Sequence, residues 1–208
     1  MRLQRIERAT NFAKFLYVQR IKGFSPPTPC FDADVLERFV DELAKATSYL
    51  EFGSGGSTLL VDEAGIPGVS VESDRFYAKV VRSRLSGGQM EVLTPDVGMT
   101  GEWGMPLLRN QAKALRYIDA PFPITPFPDF VLVDGRFRVA CALETARQAY
   151  LAGKQARLMF DDYSFRPWYH RVEEWLGVPQ LTGRAAIFVV GERPIDRLFV
   201  DAAATHAR

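Results

Sequence analysis

Cysteine is nearly absent from this chain of 208 residues, with Cys30 and Cys141 its two examples. Two thiols make no disulfide framework, and Cys141 falls inside an apolar helical pattern where a small buried thiol is the ordinary occupant. A reducing compartment suits that usage. Long apolar runs are missing too: none reaches the roughly 18 residues of a membrane-spanning helix, and Lys14 interrupts the N-terminal apolar positions that a secretory signal would need. No transmembrane segment and a cytoplasmic location are therefore expected. Net charge is also lacking, since 26 basic residues face 25 acidic ones, so no global field draws a nucleic acid and none is expected as a partner. Internal repeats and low-complexity tracts are absent.

What is present is enough apolar material, 47% of residues, for one sizeable core. From Ser48 onward short apolar runs alternate with amphipathic helical patterns, an order that argues for a parallel sheet covered on both faces. Strands are expected near 48–52, 69–72, 89–94, 129–134, 156–161 and 185–190, with a short proline-containing strand near 178–183. Helices are expected near 32–45, 57–64, 75–86, 107–119, 137–152 and 165–176. Residues 1–47 read as an N-terminal helical extension and 48–208 as the main domain. In residues 1–22 six cations face the single acid Glu7, with apolar residues interleaved. Such a segment can dock on its own domain, on a second subunit as a homodimer contact, or on an anionic surface. The proline-rich stretch 25–29 then acts as a rigid connection.

The most informative run is Tyr49-Leu50-Glu51-Phe52-Gly53-Ser54-Gly55-Gly56-Ser57-Thr58. A strand, a glycine turn and a helix start build a pocket for a small polar cofactor, because glycine admits close approach and free helix amides face the ligand. A dinucleotide fingerprint beginning at Gly53 would need glycine where Thr58 stands, and no phosphate-loop lysine follows. A carboxylate at position 51 would repel a pyrophosphate but can hold an amino group. A second acid, Glu72, ends the next strand nineteen residues after Gly53, where a carboxylate can accept hydrogens from both hydroxyls of a ribose. Asp74 reads as the N-cap of the following helix.

These residues resemble the first motif of class I S-adenosylmethionine-dependent methyltransferases, Glu/Asp-x-Gly-x-Gly-x-Gly, with Ser57 in place of the last glycine. The resemblance runs from about residue 48 to 190 and includes Val-Asp-Gly-Arg-Phe-Arg and Phe-Asp-Asp-Tyr. It implies an α/β, doubly wound, Rossmann-like sheet of seven strands, mostly parallel with a C-terminal antiparallel strand and helices on both faces. It also implies S-adenosyl-L-methionine as cofactor, held by Glu51, Gly53, Gly55, Ser57, Glu72 and Asp96.

Ligands bind beyond the carboxyl ends of strands in such sheets, which directs attention to Asp134, Asp161 and Asp162. Three neighbouring acids repel unless a cation or proton is shared among them. The cluster is similar to that of metal-dependent catechol- and macrocin-type O-methyltransferases, which implies Mg2+ held by Asp134, Asp161 and Asp162. The adjacent Arg136 and Arg138 offer the alternative of an ion-pair network without metal. Asp134, Asp162 and His170 are candidate proton acceptors, and Arg136, Arg138, Trp103 and Tyr163 candidate contacts to the acceptor. The expected activity is methyl transfer to a small or medium hydroxylated molecule, saccharide-like acceptors included. The alternatives are a nicotinamide-dependent oxidoreductase and a non-catalytic binding module on the same fold.

Overall fold

The chain forms strands where runs of β-branched and aromatic residues lie between turn-forming residues: β1 Tyr49–Phe52, β2 Gly68–Val71, β3 Met90–Leu93, β4 Phe130–Val133, β5 Ala156–Phe160, β6 Gln180–Thr182 and β7 Ala185–Val190. This computed structural model describes residues 13–25, 27–28 and 30–206. The strands form one sheet in the order β3-β2-β1-β4-β5-β7-β6. All pairings are parallel except those of β7, which runs against β5 and β6. The order reverses between β1 and β4, and there the helices that follow the two strands pass to opposite faces of the sheet, leaving a crevice at its edge.

β1 and β4 are buried along their whole length, and their side chains alternate between two cores. On one face, helix α1 (Ala33–Leu43) and helix α2 (Gly56–Glu63) bring Val35, Phe39, Leu43 and Val61 against Tyr49, Phe130, Leu132 and Met159. The opposite core sets Tyr117 and Ile118 of α4 (Gln111–Asp119), Ala140 and Leu143 of α5 (Arg138–Leu151) and Val200 of α7 (Arg197–Ala203) against Leu50, Val131, Val133 and Leu158. Between them in sequence, α3 (Arg75–Arg82) covers Val92 of β3 with Ala78 and Val81.

Some elements depart from the sequence expectation. The helix expected over 165–176 is a 3-10 segment, Pro167–Val172, followed by one turn of α-helix, α6 (Glu173–Leu176). Residues three apart eclipse in a 3-10 helix, and here that spacing sends both Tyr169 and Val172 into the core. Helix α4 begins at Gln111 rather than 107, because the Asn110 side chain caps it by accepting from the Lys113 amide at 3.0 Å. Helix α7 was not expected at all; its seven residues are too few for a helical period to stand out.

Residues 13–22 are helical, ending in a π-type turn, Val18–Lys22. They dock on the domain: Gln19 is buried and donates to Asp74 Oδ2 and, at 3.0 Å, to Thr100 Oγ1, while Phe24 meets Tyr77 edge-on. The reading of residues 1–12 as part of a basic amphipathic segment falls outside the described residues.

At the crevice the turns after β1 and β4 touch. Gly53 has φ of +102°, and a Cβ there would lie 2.7 Å from Gly135 Cα. Gly55 is different, with an extended φ of 176° and only the Tyr77 hydroxyl, at 3.7 Å, near its missing side chain. Gly53→Ala is therefore expected to lower unfolding stability by at least about 2 kcal/mol through backbone strain and overpacking. Gly55→Ala should stay within about 0.5 kcal/mol of the parent, as an unstrained substitution in open space does. Denaturant midpoints of the two variants check this, and equal losses would contradict the contact described.

Candidate active site

Strand register assembles the site. Phe52 is paired with both Val71 and Val133, and Val133 with Phe160, so the residues that follow, Gly53, Glu72, Asp134 and Asp161, stand in a row along the carboxyl edge. Each extends the ladder by one backbone bond: Gly53 N to Val71 O at 2.8 Å, Glu72 N to Leu93 O at 2.9 Å, Asp134 N to Phe52 O at 2.9 Å and Asp161 N to Val133 O at 3.1 Å. A glycine turn and three acids are thus fixed relative to one another by main chain rather than by flexible side chains.

Glu51 does not face this row. Strand alternation turns it beneath α2, where it is fully buried and accepts from Tyr49 Oη at 3.0 Å, Ser57 Oγ at 2.7 Å and Thr58 Oγ1. Thr58 Oγ1 also accepts from the Gly55 amide at 2.8 Å, so the acid holds the glycine turn from below. Read from the sequence as a cofactor contact, Glu51 is a support for the turn, and Ser57 spends its hydroxyl on that support. Burial raises the Glu51 carboxyl, against the lowering effect of these hydroxyl donors.

Glu72 lies on the pocket side of the turn. Its carboxylate accepts from the Ser54 amide at 3.1 Å and the Asp74 amide at 2.7 Å, while burial pushes it up to about 7. Ser73 Oγ donates to the Gly104 carbonyl at 2.9 Å, which draws the loop carrying Trp103 over this acid. Trp103 itself is 83% exposed, in a left-handed conformation with φ of 58°. Tyr77, not singled out from the sequence, faces Gly55 across the open side of the turn, its hydroxyl raised to about 12 chiefly by burial and next by Glu72. Among the described residues the Tyr77 hydroxyl is the one atom within 4 Å of where a Gly55 Cβ would lie, so the turn is uncrowded where a nucleoside cofactor would approach it.

Asp96 stands apart. Its carboxylate is exposed and paired with Lys113 at 2.8 Å, which with the Gly98 amide lowers it, so its polar capacity is spent at the surface.

The structure brings Asp134, Asp161 and Asp162 together, with one oxygen of each within 4.8 Å of the others. Guanidinium groups already occupy them. Arg184 forks onto Asp161 at 2.9 and 3.0 Å and reaches Asp162 at 3.4 Å. Arg138, itself buried, contacts Asp134 at 2.8 Å and Asp162 at 3.3 Å, and Arg166 contacts Asp162 at 2.8 Å. A divalent ion needs oxygen ligands free of competing cations, and this donor set does not fit one. Arg184 was not singled out because it lies in the β6–β7 turn, 23 residues from its partner Asp161.

Asp134 keeps 34% of its side-chain surface open to the crevice. Desolvation raises its carboxyl to about 7, Arg138 opposes that shift, and Asp161 and Asp162 add to it. His170 and Tyr163 do not join it. The Tyr163 ring is buried, donates its hydroxyl to Glu173 at 2.7 Å and carries the exposed His170 ring stacked on it at 4.7 Å. Core packing, rather than acceptor contact, accounts for Tyr163.

No protein-family model matches the chain, and no curated protein matches it. Solved structures do match. A methyltransferase-like protein from Silicibacter pomeroyi is 36% identical, with a TM-score of 0.74 over 87% of this chain and 98% of its own. The chain belongs to the class I S-adenosylmethionine-dependent methyltransferases. More distant methyltransferases share the fold. The O-methyltransferase from Bacillus cereus, solved with S-adenosylhomocysteine, is 15% identical over 87% of this chain and 90% of its own, with a TM-score of 0.53. TomG from Streptomyces achromogenes, an O-methyltransferase of tomaymycin synthesis solved with S-adenosylmethionine, is 18% identical over 86% and 88%, with a TM-score of 0.53. No described helix of this methyltransferase is long and apolar enough to cross a membrane.

Removing one partner of a buried pair strands the other charge. In this methyltransferase Arg184→Gln, which leaves the buried Asp161 without its fork, should cost about 3–5 kcal/mol in chemical denaturation. The exposed Arg193→Gln should change little. Millimolar magnesium or manganese should leave the melting temperature in place; a rise above about 2 °C would show a metal site competing with the arginines.

Proposed function

We propose that this chain transfers the methyl group of S-adenosylmethionine to an oxygen of a small or medium hydroxylated acceptor, without a resident metal. The observation that carries the reading is the contact of the Gly53 and Gly135 turns, which sets the glycine turn beside Asp134. Family membership supports the transfer, the cofactors bound to the two proteins above support the donor, and the naming of both as O-methyltransferases supports the oxygen acceptor.

When bound, the donor supplies a sulfonium-linked methyl group; all else falls to the protein. Glu72 accepts hydrogen bonds from the ribose hydroxyls while the Ser54 and Asp74 amides hold it in place. Tyr77 closes the open side of the turn. Asp134, ionised, takes the proton of the acceptor hydroxyl, and the oxygen electron pair so released forms the new bond to the methyl carbon as the old carbon–sulfur pair returns to sulfur. A carboxyl raised toward neutrality is suited to this, since it is basic enough to take the proton and ionised often enough to be ready. Arg138 holds the Asp134 carboxylate in position and offsets the repulsion from Asp161 and Asp162.

Calorimetric titration with S-adenosylhomocysteine tests the donor site. Glu72→Ala removes hydrogen bonds to a charged group, each contributing about 1.5–3 kcal/mol, and should weaken binding at least about tenfold. The bound ribose favours ionised Glu72, whose carboxyl in the free protein sits near 7. Affinity should therefore fall as pH drops below about 7 and level off above it; a flat profile from pH 5.5 to 8.5 would point to another ribose ligand. Release of S-adenosylhomocysteine from S-adenosylmethionine over a panel of hydroxylated compounds tests the transfer itself. Asp134→Asn should slow it about 10²–10⁴-fold while S-adenosylhomocysteine affinity is retained.

A further inference from the structure

The site's arginines are not equivalent. Arg138, Arg166 and Arg184 each have carboxylate partners among Asp134, Asp161 and Asp162. Arg136 has none: among the described residues its guanidinium makes no ion pair, and its Nε is shut off from solvent without a hydrogen-bond partner. Desolvation and the neighbouring Arg138 both disfavour its charge, while the hydroxyls of Tyr117 and Tyr169 and, more weakly, Asp134 act the other way. Those hydroxyls are committed elsewhere, Tyr117 donating to Val71 O at 3.0 Å and Tyr169 accepting from Arg166 at 3.0 Å.

An unpaired guanidinium is costly to keep in such a place, and it presents a planar fork matched to a carboxylate. Main chain fixes where it lies. Arg136 follows Gly135, which touches the glycine turn, and comes two residues after Asp134, the proposed proton acceptor. On the other side of that contact the amides that open α2 are suited to the carboxylate of the donor.

We propose that Arg136 is the receptor for a carboxylate on the methyl acceptor, so that the substrates are hydroxy acids rather than neutral alcohols. The proposal rests on the methyl-transfer reading for the word acceptor; the anion site itself does not. The fork anchors the acid group, and the hydroxyl of the same molecule reaches Asp134. Selectivity for acids then follows from charge pairing at one residue.

The test compares benzoate with benzamide, probes of matched shape that differ in charge, titrated into the free protein and into its S-adenosylhomocysteine complex. The parent should prefer benzoate by at least about tenfold, Arg136→Gln should lose that preference, and Arg136→Lys should keep part of it. S-adenosylhomocysteine affinity of Arg136→Gln should change less than about threefold. The proposal falls if both probes bind the parent equally or not at all, or if Arg136→Gln keeps the preference. It falls equally if that variant loses S-adenosylhomocysteine binding tenfold with the probe ratio unchanged, because the guanidinium then serves the donor. Failure of the parent to bind S-adenosylhomocysteine would overturn the methyl-transfer reading instead, while the probe ratio in the free protein still decides the anion site.

Discussion

Two glycines touching across the switch point of the sheet are the constraint on which this site depends. With Gly53 at a positive φ and Gly135 within 2.7 Å of where its side chain would be, the turns after β1 and β4 close to a distance that no other residue pair permits. That closeness sets the donor pocket against Asp134. The Tyr117 hydroxyl, bonded to Val71 O, packs beneath Gly135, so the same contact ties the crevice to the core on the α4 side. A side chain at either glycine would push the pocket away from the acid as well as strain the fold, and a shift of an ångström in such an arrangement is felt in rate.

Electrostatics at the neighbouring strand ends follow a different solution from the one that metal-dependent relatives would suggest. Three aspartates that could surround a cation are instead bound by planar guanidinium groups, which satisfy from one to three of their carboxylate oxygens each in fixed directions. Arginine does not exchange with solvent as an ion does, so the charge balance is part of the fold and independent of ion supply. The arrangement leaves Asp134 the most open of the three acids, with Asp161 and Asp162 more enclosed, and one acid is thereby separated from two structural ones.

Much of this was legible in the sequence, for reasons that particular residues make plain. The buried strands Phe130–Val133 and Ala156–Phe160 are short apolar runs ending in acids, and β1 ends in glycines, so both the parallel sheet and its loaded edge could be read without tertiary information. Glu51 reads from the motif as a cofactor contact because a motif gives order along the chain but not the face a side chain takes; the period of two sets it on the face of Tyr49, under α2. Tyr163 follows the acid pair in sequence and so invites a site role, yet the 3-10 turn at Pro167–Val172 and the bond to Glu173 carry its ring into the core. Arg184, the principal partner of Asp161, was invisible for the opposite reason. Nothing in the local pattern of a hairpin turn announces a residue that acts across the sheet.

That same arginine has a consequence for the order in which the protein comes into being. Arg184 binds Asp161 and Asp162 and also the Cys30 carbonyl, 154 positions earlier in the chain, so one side chain closes the beginning of the described fold onto its end. During synthesis Asp134 and Asp162 can meet Arg138 and Arg166 early, but Asp161 waits for its guanidinium until the β6–β7 turn has left the ribosome. Contacts of such sequence separation form late, because their loop-closure entropy must be met before they contribute. Asp161 is thus the last of the three acids to be paired, and a chain truncated before Arg184 would leave that buried carboxylate without its fork.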